Sequence, residues 1–425
     1  MWKALGGTTF MLRLRRLICF NACVLLFIQL WFVASPSHAE GLANDEPNMI
    51  SESAVLMDAK TGTVLYAQNA DREQFPASIT KIVTGIIALE NESALSNLVT
   101  VSKEARGEDG TRIYLAEGEQ VTLEKLLYGM LMNSGNDAAT AIAEYIDGTK
   151  AKFAERMNAW VKEKVGVEHT HFVNPSGLPD KTQVTTALDM AKIARYAMQN
   201  EKFRQIVATK RLPWVGKEWT STLINHNELL KGYEGATGIK NGYTEAAGFT
   251  LVASAKRNGM ELIGVLLKSP SKAVVYDDMR NLLDYGFANF DLQQVVSADQ
   301  AYPFMSKEPA QFIAREPMWA VLRKGVIPSV DVTSDGDVMV TSTLGTVKAG
   351  AMEPVKPTIE SVIEESPKVA ADIATAAVEP TTVKPEPTRG QKLSILFVWM
   401  GLLVYLAILA YIRLKRQQRE RGRGL

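Results

Sequence analysis

The chain has 425 residues, and its 47 basic residues balance 47 acidic residues to give zero formal net charge. This length allows two or three domains. The neutral balance argues against nucleic acid as a partner, since such proteins carry a positive excess. The two cysteines, Cys19 and Cys23, both lie in an apolar N-terminal run. With that run removed, a disulfide framework, a thiolate zinc site and a cysteine nucleophile are excluded.

The N-terminus has the pattern of an export signal. An arginine-rich stretch at residues 13–16 precedes an apolar run from Leu17 to Ala34. Ser37-His38-Ala39 then supplies small residues where a signal peptidase reads them. We therefore expect residues 1–39 to be a signal peptide. Because the apolar run is long for a signal, an uncleaved anchor is the alternative.

The first elements after the signal are two short apolar runs. Val55–Met57 and Val64–Tyr66 flank the turn-forming stretch Asp58–Gly62. This pattern predicts a pair of strands around a turn.

The next stretch, Pro76-Ala77-Ser78-Ile79-Thr80-Lys81, begins an apolar run with helical spacing. Pro76 lies just outside its start, where a helix tolerates proline. Residues three apart share a helix face, so the Ser78 hydroxyl and the Lys81 amine can meet. A serine needs a base to become a good nucleophile. Lys81 can be that base only if burial or a second cation lowers its pKa from about 10.4.

Two helical patterns, Leu123–Met132 and Asp137–Ile146, follow and are separated by a polar junction. Ser134 and Asn136 lie in that junction and can project into a cleft. The alternative is a plain helix–helix turn, since serine, glycine and asparagine form turns readily.

A lysine surrounded by small residues comes next, in the segment Thr237–Thr244. Small residues let a ligand approach a strand backbone closely. Lys240 could therefore bind a carboxylate, and it could be the second cation that lowers the pKa of Lys81. The alternative is an exposed lysine on a glycine-rich turn.

The first region closes with strands near Phe249–Ala255 and Leu262–Leu267 and a helix from about Tyr276 to Phe290. The stretch Lys256–Gly259 joins the strands, and its Asn-Gly pair is a strong hairpin signal. Together these patterns predict an α/β fold in which helices cover a sheet.

The amino-acid composition changes in the remaining chain. Short β-branched runs predict a small all-β domain at 292–355, and residues 356–391 read as a disordered Pro-rich linker. Residues 393–412 carry no charge and are long enough for a transmembrane helix, and the basic tail at 413–425 predicts a cytoplasmic end. We expect a single-pass protein of the cell membrane with its body on the extracytoplasmic side.

The three polar elements, in this order, resemble the Ser-x-x-Lys, Ser-x-Asn and Lys-Thr-Gly set of penicillin-recognising serine enzymes. The sequence around these elements is similar to that of the low-molecular-mass D-alanyl-D-alanine carboxypeptidases, which form serine peptidase family S11. The resemblance covers about residues 48–290 and rests on these segments: LMDAKTGTVLYAQN, PASITKIVT, LMNSGNDAA, HFVNPSGLP and LLKGYEGATGIKNGYTEAAGFTLVASA. It implies a β-lactamase/transpeptidase-like domain, with an antiparallel sheet covered by helices and a helical subdomain. The small β domain and the membrane anchor also fit that family's layout.

The resemblance also implies a mechanism. Neutral Lys81 takes the proton of Ser78, which attacks the carbonyl between the two terminal D-alanines of a peptidoglycan pentapeptide stem. Ser134, with Asn136 and Lys81, passes the proton to the leaving D-alanine, and water hydrolyses the acyl-enzyme. The residues expected to bind substrate are Asn136, Lys240, Asn241, Gly242 and Tyr243, with the N–H groups of Ser78 and Tyr243 as the oxyanion hole. β-Lactams are the expected inhibitors, and no metal or organic cofactor is required.

Two features depart from the family pattern. Asn241 stands where the family has threonine, so the affinity for the substrate carboxylate and for β-lactams is open. A literal Lys60-Thr61-Gly62 lies before Ser78, and a second Ser-x-x-Lys lies at Ser269–Lys272. Both are interpreted as turns.

Four other protein classes fit the sequence less well. A class A β-lactamase shares the three motifs, but it needs a deacylating glutamate and lacks the β domain and the anchor. A zinc peptidase needs a ligand cluster, whereas His169 and His171 alternate as in a strand and would point to opposite faces. A Ser-His-Asp hydrolase would carry Gly-x-Ser-x-Gly, which the sequence lacks. An inactive muropeptide-binding relative is disfavoured by intact Ser78, Lys81 and Ser134.

Overall fold

The computed structural model describes residues 46–91, 94–299, 301–304 and 310–355. The expected signal peptide, Pro-rich linker, transmembrane helix and basic tail all lie outside the described residues. Within the described ranges, no helix has the length and apolar character needed to cross a bilayer.

The described strands, in chain order, are β1 (Ser53–Asp58), β2 (Val64–Gln68), β3 (Leu98–Thr100), β4 (Gln120–Thr122), β5 (Arg211–Val215), β6 (Thr220–Ile224), β7 (Ala236–Thr244), β8 (Gly248–Arg257), β9 (Met260–Ser269), β10 (Phe290–Val296), β11 (Ala301–Phe304), β12 (Ala310–Ile313), β13 (Met318–Arg323), β14 (Ser329–Val332), β15 (Asp337–Ser342), β16 (Gly345–Ala351) and β17 (Glu353–Pro354). The described α-helices are α1 (Lys81–Asn91), α2 (Lys103–Arg106), α3 (Leu123–Asn133), α4 (Asn136–Asp147), α5 (Lys150–Trp160), α6 (Ala187–Ala197), α7 (Glu201–Ala208), α8 (Leu229–Gly232) and α9 (Lys272–Asn289). A 3₁₀ turn at Ala77–Thr80 precedes α1, and a π-helical turn at Val161–Val165 follows α5.

The main sheet is antiparallel and has five strands in the order β2-β1-β9-β8-β7. The predicted strand pairs at both ends of the region are confirmed. Asn258 and Gly259 have φ of 49° and 84°, the left-handed pair that a two-residue hairpin turn between β8 and β9 requires. β7 lies at one edge of the sheet, which leaves its outer side open to a ligand.

Each face of the sheet supports a different helical layer, because side chains alternate along a strand. Val55 and Val265 face a core that includes α1, whereas Leu56 and Leu266 face the core under α9. Gly264 lets α9 approach closely, since a Cβ there would lie 2.4 Å from Met279 Sδ. The sheet is therefore buried on both faces.

Helix α1 is buried on nearly all sides. Every residue from Lys81 to Ala88 is buried, and a helix that is buried all round belongs to the centre of a core. The sequence therefore carries the Lys81 amine into a dry environment.

The fold confirms the predicted α/β transpeptidase-like architecture, with an antiparallel sheet and helices, followed by strands β10–β17. A separate small core among these strands includes Phe312, Leu322 and Val340. Phe290 and Val321, by contrast, belong to the core under α9. The exact domain boundaries stay a prediction.

Candidate active site

Ser78 lies in the 3₁₀ turn that leads into α1. The predicted helix is confirmed at residues 81–91, but residues 77–80 are wound more tightly than the periodicity indicates. Side chains three apart eclipse one another in a 3₁₀ turn. Lys81 Nζ accordingly lies 3.1 Å from Ser78 Oγ, which confirms the predicted contact.

The 3₁₀ turn that carries Ser78 is held in place by its surroundings. Ala77 has φ of +50°, an uncommon backbone conformation for a residue with a side chain. A Cβ at Gly177 would lie 1.9 Å from the Ala77 carbonyl oxygen, and a Cβ at Gly242 would lie 2.7 Å from the Ser78 nitrogen. Thr250 Oγ1 also donates to the Pro76 carbonyl at 3.0 Å. Close backbone packing on two sides therefore imposes the tight turn.

Lys81 Nζ contacts three oxygens. Besides Ser78 Oγ, it donates to Asn136 Oδ1 at 2.7 Å and to the Ser176 carbonyl at 2.5 Å. The Asn136 amide is oriented by its Nδ2, which donates to the Asp109 carbonyl at 2.6 Å. A neutral amine has two N–H donors and one lone pair. With both donors used on Asn136 and Ser176, the lone pair is left for the Ser78 hydroxyl proton.

Two buried lysines determine the electrostatics of the site. Burial lowers the pKa of Lys81 well below its ordinary value, and the charge of Lys240 lowers this pKa further. Burial also lowers the pKa of Lys240, to about 7. Both predicted causes of a depressed Lys81 pKa are therefore present.

Lys240 is buried in edge strand β7, so the alternative of an exposed lysine on a turn is wrong. Its Nζ donates to the Asn241 backbone carbonyl at 2.8 Å and to Asn241 Oδ1 at 3.3 Å. With Oδ1 directed at Lys240, the Nδ2 group of Asn241 is the donor left for a ligand.

The junction between α3 and α4 places Asn136 in contact with Lys81, so it is not a plain helix–helix turn. Ser134 ends α3 with φ of 64° and is buried, and Asn136 begins α4 facing Lys81. The Asp137 carboxylate accepts backbone N–H bonds from Ile113 and Leu115, which fixes the neighbouring loop. Among the described residues, no hydrogen bond joins Ser134 to Ser78 or Lys81.

Tyr243 lies at the open rim of the site. The residue is 57% exposed, and its ring packs against Phe249 with the ring centroids 4.5 Å apart. Its backbone belongs to β7, directly after Gly242, where an added Cβ would lie 2.7 Å from the Ser78 nitrogen.

Sequence reasoning missed the roles of the loop at residues 173–178. Asn174 Oδ1 accepts backbone N–H bonds from Ser176, Gly177 and Leu178 at 2.8–3.2 Å. This clustering holds the Ser176 carbonyl against Lys81. The turn-forming run Asn-Pro-Ser-Gly was a usable signal for a tight loop, but not for its partner.

The Lys60–Gly62 copy is a turn, as predicted, whereas the Ser269–Lys272 copy spans the end of β9 and the start of α9. Asp58 Oδ1 accepts the Thr61 backbone N–H at 2.7 Å in the turn between β1 and β2. Ser271 caps α9 by accepting the Val274 backbone N–H. Lys272 pairs with Glu228 at 2.6 Å on the surface.

The zinc alternative finds no support in the part of the chain that the structure describes. No group of three or more histidine, cysteine, aspartate or glutamate residues there is arranged to hold a metal ion. His171 is exposed, and its Nδ1 lies 2.9 Å from the Thr182 carbonyl oxygen.

A family profile described as D-alanyl-D-alanine carboxypeptidase, peptidase S11, matches residues 40–271. The chain belongs to this family. It is 33% identical to the D-alanyl-D-alanine carboxypeptidase DacF of Bacillus subtilis, over 65% of this chain and 73% of that protein. It is also 33% identical to DacD of Escherichia coli, over 68% of this chain and 78% of that protein.

Solved structures agree with the S11 assignment. The crystal structure of penicillin binding protein 5 from Haemophilus influenzae superposes with a TM-score of 0.62 at 28% identity, covering 73% of this chain and 96% of that one. DacD from Francisella tularensis gives a TM-score of 0.61 at 25% identity, covering 76% and 100%. This S11 chain is therefore a serine carboxypeptidase hydrolase.

Proposed function

We propose that this S11 enzyme removes the terminal D-alanine from peptidoglycan pentapeptide stems through an acyl-enzyme on Ser78, and thereby trims the cell wall. β-Lactams would acylate the same serine. The observation that carries this proposal is the buried Lys81 amine, 3.1 Å from the Ser78 hydroxyl and held by two further acceptors.

In the first step, Lys81 accepts the Ser78 proton while Ser78 Oγ bonds to the carbonyl carbon between the two D-alanines. The negative charge moves to the carbonyl oxygen. The backbone N–H groups of Ser78 and Tyr243 would stabilise it, because Gly242 brings β7 against the Ser78 nitrogen.

In the second step, the C–N bond breaks and the leaving amine takes a proton. Lys81 holds that proton after the first step, and Asn136 keeps its amine in place. Ser134 would relay the proton to the leaving group, for which its hydroxyl is suited as both donor and acceptor. Water then attacks the ester carbonyl, Lys81 accepts a proton again, and Ser78 is released.

The free carboxylate of the terminal D-alanine would bind at Lys240 and Asn241. Lys240 supplies a positive charge in a dry site, where charge-assisted hydrogen bonds are strong. The Asn241 amide would replace the hydroxyl that the family's threonine supplies.

We further propose that the enzyme acts on the extracytoplasmic side of the cell membrane. The export signal at 1–39 and the uncharged segment at 393–412, with its basic tail, motivate this proposal.

The decisive experiment is covalent labelling. Penicillin should add one acyl group to the protein, and peptide mapping should place it on Ser78. Ser78→Ala should abolish both labelling and release of D-alanine. Label on Ser134 or Ser269, or label that persists in the variant, would refute the proposed nucleophile.

The lifetime of the label separates the carboxypeptidase from a β-lactamase. Slow release of the acyl group and little nitrocefin turnover are expected here. Rapid turnover of nitrocefin would favour the β-lactamase.

A further inference from the structure

Two buried carboxylates near the active site take no part in the steps proposed above. Asp137 is 0% exposed and Glu108 is 7% exposed. Acidic side chains are rarely buried to this extent unless they are paired or hydrogen-bonded. The partners of these two carboxylates therefore show what each of them does.

Asp137 lies in the first turn of α4, and its carboxylate binds a neighbouring loop. Its two oxygens accept the Ile113 N–H at 3.0 and 3.1 Å, and Oδ2 accepts the Leu115 N–H at 3.2 Å. Oδ1 also accepts the Ala138 N–H at 2.9 Å. Hydrogen bonds from three backbone N–H groups favour the charged form of a carboxyl group. Asp137 therefore presents a negative charge inside the core.

The same loop accepts hydrogen bonds from Asn136. The Asn136 backbone N–H donates to the Thr111 carbonyl at 2.8 Å, and its Nδ2 donates to the Asp109 carbonyl at 2.6 Å. The loop and the first turn of α4 are thus joined by hydrogen bonds in both directions. Asn136 Oδ1 is left to accept from Lys81 Nζ at 2.7 Å. Asp137 therefore helps to fix the residue that orients the Lys81 amine.

Glu108 is next to Asp109 in the chain and forms an ion pair with Lys150. Lys150 also pairs with Glu104 at 2.9 Å, but the Glu104 side chain is 57% exposed. The two glutamates share one lysine and differ in burial. Glu104 is therefore a matched control for Glu108.

The charged groups that face Lys81 come from three parts of the fold. Burial lowers the pKa of Lys81, and the charge of Lys240 on β7 lowers it further, whereas the charges of Asp137 and Glu108 raise it. Burial also raises the pKa of Asp137, and its backbone N–H bonds and the charge of Arg112 oppose that rise. The Lys81 amine thus lies between charges of opposite sign.

We propose that Asp137 and Glu108 are positioning residues for proton transfer at Lys81, Asp137 because it holds Asn136 in place and both because they direct negative charge at the amine. The inference rests on the proposed function, in which Lys81 accepts the Ser78 proton and later releases it. An amine that loses its proton too easily is a weak base. The two carboxylates preserve the basicity that burial and the second lysine reduce.

The test is the pH dependence of kcat/KM for D-alanine release from a peptide with a free terminal carboxylate. Glu108→Gln removes one negative charge and keeps the length of the side chain. The acid limb should move to lower pH by roughly 0.5–1 unit, less than the 1–3 units typical of a charge in direct contact. The alkaline limb should stay, because burial is what lowers the pKa of Lys240.

Glu104→Gln is the control for Glu108→Gln. It removes the same charge from the same lysine, Lys150. Among the described residues, Glu104 is not one of the groups that shift the pKa of Lys81. Both limbs of the profile should therefore stay in place in this variant.

Asp137→Asn tests both parts of the proposal. The acid limb should again move to lower pH. In addition, kcat should fall at least roughly tenfold with a smaller change in KM, since a carboxamide cannot accept all of the backbone N–H bonds and Asn136 loses its alignment. Urea unfolding shows whether the variant is folded, and Glu108→Gln tests the effect of charge if it is not.

An acid limb that does not move in Glu108→Gln would overturn the electrostatic role. Equal shifts in Glu108→Gln and Glu104→Gln would also overturn it, because surface charge would then be the cause. A folded Asp137→Asn variant with an unchanged kcat would overturn the positioning of Asn136. Failure of the wild type to release D-alanine would instead refute the proposed function.

Discussion

At the scale of single residues, the site depends on two lysines that are almost completely shielded from water. Lys81 is 0% exposed and Lys240 is 1% exposed. A buried cation is unfavourable unless it is compensated, so both side chains lose their protons more easily than free lysine. The same burial that would let Lys81 act as a base makes the charged form of Lys240 unfavourable.

The first prediction concerns pH. Lys81 must be neutral to accept a proton, so kcat/KM should rise with pH through the lowered pKa of Lys81. Lys240 must be charged to bind a carboxylate, so kcat/KM should fall again as pH passes its pKa of about 7. The expected profile is a bell, measured with a substrate that has a free terminal carboxylate.

The control for that profile is Lys240→Arg, because arginine stays charged throughout this range. The alkaline limb should disappear in the variant. If the limb stays at the same pH, a group other than Lys240 is responsible.

The second prediction concerns the carboxylate itself. Lys240→Ala should lower kcat/KM for a peptide acid by roughly tenfold or more relative to the matching peptide amide, since a hydrogen bond to a charged group is worth about 1.5–3 kcal/mol. Asn241→Thr should keep activity and improve acylation by β-lactams. Equal losses on acid and amide would mean that Lys240 acts on Lys81 or on the fold.

The third prediction concerns stability. The pKa of Lys240 falls from 10.5 to about 7 on folding, so below pH 7 the buried charge opposes folding by up to about 5 kcal/mol. The unfolded state binds more protons between these two pKa values, so this cost shrinks as pH rises from 7 towards 10.5. Lys240→Met should therefore stabilise the fold most at pH 6 and least at pH 10, measured by urea unfolding. A gain that is independent of pH would indicate packing instead.

At the scale of elements, the loop at 173–178 supports one side of the 3₁₀ turn that carries Ser78. Its Ser176 carbonyl orients Lys81, and its Gly177 lies against Ala77. Asn174 is the residue that holds both in place, and Gln183 Oε1 assists by accepting the Asn174 backbone N–H at 3.1 Å.

The fourth prediction tests this support. Asn174→Ala leaves backbone donors of the loop without an acceptor, so kcat should fall at least roughly tenfold, with a smaller change in KM. Asn174→Asp can still accept those hydrogen bonds and should recover part of the loss. If both variants lose activity equally and also unfold at lower urea concentrations by equal amounts, the loop acts on stability alone.

The elements that sequence predicted well are those governed by local pattern. Short apolar runs bounded by turn residues located β1, β8 and β9, because both faces of the sheet are buried. Helical spacing of apolar residues located α1, α3 and α4. The Ser78–Lys81 contact followed from spacing alone. The 3₁₀ turn did not, because contacts from Gly177 and Thr250, far away in sequence, impose it. The contact from the Ser176 carbonyl to Lys81 could not be predicted either. Every residue carries a backbone carbonyl, and the sequence does not show which one faces Lys81.

At the scale of the whole molecule, the turn that carries Lys60-Thr61-Gly62 connects the main sheet to the β strands that follow. Lys60 Nζ lies 3.6 Å from the centroid of the Trp319 ring, and Arg195 donates to the Ala59 and Lys60 carbonyls beside it. In the part of the chain that the structure describes, none of these residues hydrogen-bonds to Ser78, Lys81 or Lys240, so we expect the contact to stabilise the molecule without contributing to the reaction.

The fifth prediction follows from that separation. Trp319→Ala should lower stability by about 0.5–1 kcal/mol through loss of the cation–π contact, plus a contribution from lost packing. It should leave kcat/KM and penicillin acylation unchanged. A marked loss of activity at full folding would instead couple the β strands to catalysis.

The proposed anchor gives a prediction about extraction. A chain limited to residues 40–385 should be soluble and active, whereas the full chain should need detergent for release from membranes. Release of the full chain by salt alone would refute the anchor.

The burial of Lys240 also couples ligand binding to the uptake of a proton from the solvent. Near pH 8 the empty enzyme holds this lysine mostly neutral, whereas a bound carboxylate favours its ammonium form. If a carboxylate ligand binds at Lys240 as proposed, it therefore draws a proton from the buffer as it binds and returns it when it leaves. Calorimetry in two buffers of different ionisation enthalpy would report this uptake as a difference in apparent binding heat. A moderately acidic medium would favour such binding without any change in protein contacts.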